Sequence, residues 1–482
     1  MNFTHRLRRR PLAASITAVA VGLAVAVGLA VAAPGASAAG RPFDARGAHE
    51  SDSLIVVFDR DTPAASGAAA IASAGVSSAE ASGPRSAVVK PREGESLKAA
   101  AKRLSARPGV SYVKPNYTAR ISDAFIPNDP GKGALGDWSK IQWNFSAETG
   151  VNALPAWSRL RDLGMDGGRG TIVAVIDTGV AYESIGPFRQ SPDLANASIQ
   201  SSYDFIDRDK HANDRNGHGT HVASTIVQDT NNGIGVAGLA YGATLMPIRA
   251  LDGAGLGDEA TVARAIRYAA KKRADIINLS VEFDVRLNGR DLPTIVSAMR
   301  YARKKGSLVV AAAGNQAARQ VAYPARSPYA LAVGATTIHK CLADYSDVGS
   351  GLDLVAPGGG ADSGVVDLRR DSTDRVNCSF GGQAAPVYQM TFGRSLRRFG
   401  LPGGYQGTSM ATPHVSATAA LIIASGIIGP NPTPAALHEH MAATAQDLGY
   451  PGFDTRYGWG LVDAGRAVTP VAPAPPPTAP TP

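Results

Sequence analysis

Beyond residue 171, short apolar runs alternate with segments of helical spacing, and this alternation restricts the possible fold more than any other feature of the chain. The runs predict strands at residues 171–176, 243–247, 276–279, 308–313 and 330–333, and the spacing predicts helices at 259–272 and 294–304. Strands that are apolar throughout are typical of a sheet covered on both faces. Strand–helix alternation favours parallel pairing with helices on either side. We therefore expect an α/β domain whose functional site lies beyond the carboxyl ends of the strands.

The segment before this domain has its own pattern. Within residues 50–122, strands are predicted at 53–58 and 111–113, and a helix is predicted at 94–104. About seventy residues can form a small α+β domain, although domains of that size are only marginally stable alone. The α/β body is assigned to residues 125–467. Its residues 361–405 are rich in Gly, Arg, Asp and Ser without a clear period, so we interpret them as a surface insertion.

Both ends of the chain differ in composition from the body. Four arginines within residues 6–10 precede an apolar run at 12–33, and Ala36-Ser37-Ala38 offers the small residues that a signal peptidase needs. We expect residues 1–38 to be a signal peptide that is cleaved on export. The mature protein is expected to be secreted and to have no membrane span. An uncleaved signal that tethers the protein to the cell surface is the alternative. The Pro-rich residues 468–482 carry no charge and are predicted to form a disordered tail.

Export also affects how the two cysteines are interpreted. In an oxidising compartment Cys341 and Cys378 are expected to pair, and two unpaired thiols are the alternative.

The chain has a formal net charge of +8, but its basic residues do not form a stripe with interleaved aromatic residues. No nucleic-acid partner is therefore expected.

Three short blocks contain the residue types that peptide-bond hydrolysis by a serine requires. Asp177 ends a predicted strand, His218 stands between two glycines where a helix begins, and Ser409 stands at the start of another helix. Singly, such residues are more often part of a turn, a histidine in the core or a helix N-cap. Together they supply a nucleophile, a base and a group that orients the base, which a serine hydroxyl needs because it is unreactive at its free pKa.

The blocks at residues 175–179, 216–223 and 407–414 resemble the signatures of the subtilisin-like serine protease family, and their order along the chain is the order of that family. The resemblance extends over about residues 125–467, and residues 108–116 resemble the end of an inhibitor-type propeptide. It implies a three-layer subtilisin-like fold with a mostly parallel central sheet, plus a small α+β propeptide domain. It also implies a monomeric endopeptidase that hydrolyses extended polypeptides through an acyl-enzyme and needs no organic cofactor. The propeptide would act as an intramolecular inhibitor until autocleavage within residues 120–125.

The resemblance also implies roles for single residues. Ser409 would be the nucleophile, His218 the general base, and Asp177 the group that orients the imidazole. Asn315, in the block 311–315, would be the side-chain donor to the oxyanion beside the backbone N–H of Ser409. His221 matches a structural position of the family, as does His414. Substrate contacts are implied for a further five residues: Ser280, Val281, Glu282, Ala313 and Gly314.

Glu282 departs from the family pattern, in which glycines usually follow a small apolar residue at this point of the substrate strand. In the family this segment borders the pocket for the side chain before the scissile bond, so we interpret Glu282 as a residue that favours basic or polar side chains there. The alternative is that Glu282 points into solvent and leaves the preference broad.

A structural calcium ion is a further expectation from the resemblance. Family members often bind Ca²⁺ through an aspartate before the histidine block and a loop after it. Asp193 and Asn232 match the side-chain ligands, and the backbone carbonyls of Ile234 and Val236 match the remaining ones. Carboxylate, amide and carbonyl oxygens are the hard ligands that Ca²⁺ prefers.

A non-catalytic binding protein that retains the fold is the competing interpretation. Such a protein typically lacks one of the catalytic residue types, whereas Asp177, His218 and Ser409 are all present here. We therefore favour the enzyme.

Overall fold

The structure is a computed structural model that describes residues 49–117, 125–363, 378 and 384–470. The chain divides into two compact units, Met1–Tyr117 and Thr118–Pro482. The predicted signal peptide, residues 120–124 of the predicted cleavage region and the tail from residue 471 lie outside the described residues. Residues 364–377 and 379–383 of the predicted insertion also lie outside them.

The first unit is a small α+β domain, as the sequence predicts. Its elements are β1 (His49–Phe58), α1 (Ala64–Ala72), β2 (Ser78–Gly83), β3 (Ser86–Lys90), α2 (Leu97–Ser105) and β4 (Val110–Tyr117). The strands form an antiparallel sheet in the order β2-β3-β1-β4. Leu54, Val56 and Phe58 alternate along β1, so they face the same side of the sheet and pack into one core with Leu104 of α2.

The second unit is built on a parallel sheet. Its strands are β5 (Ile172–Asp177), β6 (Ser198–Ile199), β7 (Tyr203–Asp204), β8 (Thr244–Arg249), β9 (Ile276–Leu279), β10 (Leu308–Ala312), β11 (Leu331–Thr336) and β12 (Leu354–Pro357), followed by a separate antiparallel pair, β13 (Thr391–Phe392) and β14 (Phe399–Gly400). The main sheet has the order β12-β11-β10-β9-β5-β8-β6, with β7 also paired to β8. All these pairs are parallel.

Helices cover both faces of this sheet, which gives three layers. They are α3 (Ala153–Asp162), α4 (His218–Val227), α5 (Glu259–Lys271), α6 (Pro293–Lys304), α7 (Thr408–Ser425), α8 (Pro434–Thr444) and α9 (Ala464–Val468). The core between the sheet and α5 and α6 contains Ala174 and Ile176. The core on the opposite face contains Val173 and Val175, which pack with α3, α4 and α7. Neighbouring residues of β5 thus enter opposite cores, as expected for a strand buried on both faces.

The expected fold class is therefore confirmed, and the predicted elements agree with the observed ones to within a few residues. Helix α5 begins where the sequence predicts, because Asp258 caps it: the Asp258 carboxylate accepts a hydrogen bond from the backbone N–H of Thr261 at 2.9 Å. The predicted strand at 330–333 is longer in the structure, since β11 runs to Thr336.

One stretch of the predicted insertion, residues 387–392, is largely buried, whereas residues 393–405 are exposed or half-buried. Val387, Gln389 and Phe392 are at most 2% exposed. The segment packs along α4, where the backbone carbonyl of Met390 accepts a hydrogen bond from the Ser224 hydroxyl at 3.0 Å. The expectation of a surface insertion is wrong for residues 387–392, because Val387 and Phe392 pack in the core and the backbone of the segment binds α4.

The expected disulfide is present between Cys341 and Cys378, whose Cα atoms are 5.6 Å apart.

Within residues 49–117, 125–363 and 384–470, no helix combines the length and apolar character that crossing a bilayer requires.

Candidate active site

The ends of three strands and the starts of two helices meet at one cleft of the second unit. Asp177 is the last residue of β5, Ser280 follows β9, and Asn315 lies three residues after β10. His218 is the first residue of α4, and Ser409 is the second residue of α7. The cleft has a volume of about 400 Å³, and the residues that line it include Asn216, His218, Ser280, Glu282, Asn315 and Ser409. It lies at the carboxyl ends of the strands, as the sequence predicts.

Asp177 and His218 form a close pair. His218 Nδ1 lies 2.7 Å from Asp177 Oδ1, which also accepts the backbone N–H of Thr178 at 2.7 Å. The Asp177 side chain is fully buried, whereas that of His218 is 26% exposed. A buried carboxylate next to Nδ1 favours the tautomer with a proton on Nδ1 and leaves Nε2 free to accept a proton.

Burial and nearby charge act in opposite directions on His218. Burial disfavours the imidazolium, but the negative charge and hydrogen bond of Asp177, together with the charge of Asp214, outweigh it and raise the pKa of His218 above its ordinary value. Asp177 and Asp214 therefore stabilise the imidazolium that forms when His218 takes up a proton.

Asp214 holds the loop that leads to His218. Its Oδ1 accepts the backbone N–H groups of Asn216 and Gly217 and the Thr178 hydroxyl, and its Oδ2 accepts the N–H and hydroxyl of Thr220, all between 2.7 and 3.0 Å. Asp214 is only 1% exposed. The carboxylate thus ties the end of β5 to the first turn of α4.

Gly219 allows α4 to start against the end of β5. A Cβ atom at this position would overlap the carbonyl oxygen of Gly179 and would lie 3.0 Å from Cβ and Oδ1 of Asp177. Any larger residue would push the start of α4 away from Asp177 and lengthen the bond to His218.

Ser409 and Ser280 hold each other through two hydrogen bonds. The Ser409 hydroxyl donates to the Ser280 carbonyl at 3.2 Å, and the Ser280 hydroxyl donates to the Ser409 carbonyl at 2.8 Å. Asn278 in β9 supports this contact, because its Nδ2 donates to Ser280 Oγ at 3.0 Å and its Oδ1 accepts from the Ser416 hydroxyl at 2.8 Å. These bonds fix the first turns of α7 against the end of β9.

Asn315 presents an N–H donor to the cleft. Its Oδ1 accepts the backbone N–H of Thr408 at 2.8 Å and the Thr408 hydroxyl at 3.1 Å, so the amide nitrogen faces the opposite way. The backbone N–H of Ser409 lies in the first turn of α7, where N–H groups have no partner within the helix. The positive end of the dipole of α7 also lies here, so the site favours a negative charge.

Glu282 is exposed to solvent, and its carboxylate also contacts Asn315. Glu282 Oε2 accepts the backbone N–H of Asn315 at 2.7 Å and its Nδ2 at 3.4 Å. Although part of the side chain is exposed, desolvation in the cleft wall raises the pKa of Glu282, and the negative charge of Asp347 contributes to the rise while Asn315 opposes it. Glu282 thus combines a solvent-exposed side chain with one carboxylate oxygen bound to Asn315.

The other predicted substrate contacts divide into two groups. Val281 lines the cleft, and in the described part of the chain the backbone N–H groups of Val281 and Glu282 have no hydrogen-bond acceptor. Ala313 and Gly314 are buried behind the wall, and their N–H and carbonyl groups all bind protein partners.

The predicted calcium ligands lie near one another, and a second carboxylate joins them. Asn232 Nδ2 donates to Asp193 Oδ1 at 2.8 Å, and the N–H of Val236 donates to Asp193 Oδ2 at 3.2 Å. Asp129, which the sequence analysis missed, is fully buried and accepts the N–H groups of Asn231 and Asn232. Burial raises the pKa of Asp193 to about 8, and the negative charge of Asp129 adds to this.

This donor set fits a divalent cation in part. Two buried carboxylates have no basic partner among the ion pairs of the described residues, and such charges are costly unless a cation compensates them. The Asn232 amide oxygen accepts the N–H of Ile234 at 2.8 Å, so the amide would need to turn to become a ligand. No group of three or more His, Cys, Asp or Glu side chains suited to a metal occurs in the described part of the chain.

His221 and His414 lie in the core of the domain. His221 stacks on Tyr405 with ring centroids 4.2 Å apart, and burial lowers its pKa to about 3. His414 lies between Asn144 and the Met410 carbonyl, each 2.9 Å away, and burial lowers its pKa to about 4. Both imidazoles are therefore neutral at pH 7.

A parallel sheet covered on both faces, with a paired Asp and His, a serine and an amide donor in one cleft, defines a serine hydrolase of the α/β class. Comparison with known proteins narrows this class. The model of the subtilase family matches residues 168–460, and the model of the fervidolysin N-terminal prodomain matches residues 39–116. The chain belongs to the subtilase family and is a subtilisin-like serine protease with an N-terminal prodomain.

Individual relatives agree with this assignment. A thermophilic serine proteinase of Bacillus sp. strain AK1 is 32% identical over 378 residues, which cover 77% of this chain and 76% of that protein. Subtilisin Savinase of Lederbergia lenta is 35% identical over 302 residues, which cover 62% of this chain and 91% of that protein. A solved protease structure from Pseudoalteromonas arctica PAMC 21717 is 30% identical, with a TM-score of 0.56, and the match covers 71% of this chain and 99% of that one.

Proposed function

We propose that this chain is a secreted endopeptidase that cleaves extended polypeptides with Asp177, His218 and Ser409 as its catalytic triad. The observation that carries the proposal is the 2.7 Å contact between His218 Nδ1 and Asp177 Oδ1, in the same cleft as Ser409. This contact prepares Nε2 of His218 to act as a base, which a serine nucleophile requires.

The reaction follows from these positions. Ser409 Oγ leaves the Ser280 carbonyl and attacks the carbonyl carbon of the substrate, while its proton passes to His218 Nε2. The tetrahedral oxyanion accepts hydrogen bonds from Asn315 Nδ2 and the Ser409 N–H. The C–N bond then breaks, and His218 returns the proton to the leaving amine. Water repeats the sequence on the acyl-enzyme, releases the carboxylic acid and regenerates Ser409, with no organic cofactor.

The substrate would bind in an extended conformation along residues 280–282. The backbone N–H groups of Val281 and Glu282 have no acceptor within the described residues, so they are available to a substrate strand. Ala313 and Gly314 would support this strand from behind, because their own backbone groups are already bound.

Calcium would stabilise the domain rather than take part in the reaction. Asp193, Asp129 and Asn232 would hold the ion, together with the backbone carbonyls of Ile234 and Val236. When bound, Ca²⁺ would supply the positive charge that two buried carboxylates require.

Maturation would take place outside the cytoplasm. The signal peptide at residues 1–38 would be cleaved on export. The N-terminal prodomain would inhibit the enzyme until Ser409 cleaves the chain within residues 120–125. A form that keeps its signal peptide and stays at the cell surface would differ from the secreted form in mass.

The test compares wild type with Ser409→Ala, by intact mass of the secreted protein and by hydrolysis of casein. We expect wild type to lose residues up to the cleavage region and to digest casein, and Ser409→Ala to keep its prodomain and remain inactive. Ser425→Ala, in the last turn of the same helix, is the matched control and should behave as wild type. Equal processing of wild type and Ser409→Ala would refute self-cleavage, and casein hydrolysis by Ser409→Ala would refute the assigned nucleophile.

A further inference from the structure

Glu282 occupies the donor that the reaction needs. Asn315 Nδ2 is the side-chain donor assigned to the oxyanion, and in the free protein Glu282 Oε2 lies 3.4 Å from it and 2.7 Å from the Asn315 backbone nitrogen. A carboxylate in this position competes with the substrate oxygen for the Asn315 amide nitrogen. If it stays, its negative charge also opposes the charge that develops on that oxygen.

A second carboxylate adds to the negative potential at this point. Asp347 is fully buried, and its Oδ1 accepts the backbone N–H groups of Gln316 and Ala318 at 2.9 and 2.8 Å. Its Oδ2 has no hydrogen-bond partner among the described residues. This oxygen lies so close to Gly314 that a methyl group there would overlap it. Asp347 thus lies against residue 314, and Glu282 contacts residue 315.

No basic side chain of the described residues neutralises these two groups. The ion pairs of the described chain include neither Glu282 nor Asp347. The cation nearest in sequence to Glu282, Arg286, is paired with Asp284 at 2.5 Å. The pKa of Glu282 is raised first by desolvation and further by Asp347, as expected for negative charge without a counter-ion. A ligand that enters this cleft therefore meets an uncompensated negative site.

We propose that Glu282 is a specificity-determining residue that selects lysine or arginine immediately before the scissile bond. This inference rests on the proposed function, because the carbonyl that Asn315 polarises belongs to that substrate residue. The side chain of that substrate residue is attached to the Cα atom adjacent to this carbonyl. A long cationic side chain at this position can therefore reach the Glu282 carboxylate, which is bound to Asn315. An ion pair with this cation moves the Glu282 carboxylate away from Asn315 Nδ2 and neutralises the negative charge of Glu282 before the oxyanion forms.

The proposal specifies which kinetic constant changes. Freeing the donor and removing the repulsion both act on the transition state, where the negative charge exists. The preference for a cation should therefore appear mainly in kcat, with a smaller part in KM from ground-state pairing. A simple binding subsite for cations would instead change KM alone.

The experiment uses two peptides that are identical except for arginine or citrulline before the scissile bond. Citrulline keeps the length and shape of arginine without its charge. For the wild-type enzyme we expect kcat/KM to be about tenfold or more higher for the arginine peptide, equivalent to about 1.4 kcal/mol. In Glu282→Gln the ratio should fall to about threefold or less, chiefly because the citrulline peptide is cleaved faster.

Asp291→Asn is the matched control, since it removes one negative charge from the same segment without touching Asn315 or releasing a paired arginine, and its ratio should equal that of wild type. Covalent labelling of Ser409 by a fluorophosphonate distinguishes failure of the proposed function from failure of the proposed role of Glu282. Absence of labelling in wild type would overturn the proposed function itself. Labelled wild type with equal rates on both peptides, or a ratio that persists in Glu282→Gln, would overturn only the role of Glu282.

Discussion

Replacement of Asn315 by alanine tests the site most directly. The Asn315 amide is oriented by Thr408, whose backbone N–H and hydroxyl both donate to Oδ1, at 2.8 and 3.1 Å. The substitution removes Nδ2 as a donor and leaves the Ser409 N–H to bind the oxyanion alone. Because the oxyanion exists only during the reaction, the loss should appear in kcat, with KM changed by less than about threefold.

The magnitude follows from the kind of hydrogen bond that is lost. A hydrogen bond to a charged group contributes about 1.5–3 kcal/mol. In a preorganised oxyanion site the loss rises to about 2.7–4 kcal/mol, a range that was measured on subtilisin, a member of the same family. We therefore expect kcat to fall by about 10²–10³, measured with a chromogenic peptide and corrected for the concentration of active sites.

Asn315→Asp provides the control for shape. Aspartate keeps an acceptor for Thr408 but places a carboxylate where the donor was, next to Glu282. Its activity should be at least as low as that of Asn315→Ala, because the new charge repels the oxyanion. Urea unfolding should show that both variants remain folded. A fall of less than about tenfold in kcat for both folded variants would refute the assignment of Asn315.

Three further predictions concern pH, calcium and maturation. Because the charge of Asp214 raises the pKa of His218, which is inactive when protonated, Asp214→Asn should move the acid limb of kcat/KM to lower pH. Removal of calcium by a chelator should lower the melting temperature by about 5 °C, since an ion at one hundred times its Kd stabilises by about 2.7 kcal/mol, and Asp193→Asn should abolish this effect. If Glu282 selects basic residues, cleavage should follow Arg120, the one basic residue between 115 and 131, and leave Ile121 as the first residue of the mature enzyme.

Each of these predictions has its own control. Asp209→Asn changes a carboxylate elsewhere in the same loop and should leave the acid limb where it is; an equal shift in both variants would indicate a general charge effect. The melting experiment uses Ser409→Ala so that self-digestion does not contribute, and equal melting with and without chelator would contradict the calcium site. N-terminal sequencing of the mature enzyme identifies the bond that is cleaved, and a first residue other than Ile121 contradicts cleavage after arginine.

The sheet could be predicted from the sequence because its strands are buried on both faces. Such strands are continuous apolar runs, so their positions did not depend on any particular contact. The segment at 387–392 could not be predicted in this way. It packs against α4 across a separation of 166 residues, as in the bond from the Ser224 hydroxyl to the Met390 carbonyl, and such a long-range contact leaves no periodic pattern in the sequence.

In the candidate site, too, residues within a local sequence motif could be predicted, whereas residues brought together by long-range contacts could not. Asp177, His218, Asn315 and Ser409 could be selected because each lies in a local motif with a recognisable pattern. Asp129 could not, since it is brought to Asn231 and Asn232 by folding over a separation of more than 100 residues. The contact of Glu282 with Asn315 depends on the rotamer of one side chain, and sequence alone carries no information about it.

The packing of α4 against residues 387–392 also affects the time at which the active site can form. The Thr391 hydroxyl donates to the Gly217 carbonyl at 2.6 Å, and His221 Nε2 lies 3.0 Å from the Val387 carbonyl, across separations of 174 and 166 residues. Protein synthesis at about 5–20 residues per second therefore separates the two halves of this contact by roughly 8–35 seconds. Ser409 follows later still, so a growing chain carries His218 and Asp177 well before it carries the nucleophile. The order of the chain thus postpones assembly of the catalytic cleft until residue 409 has been made.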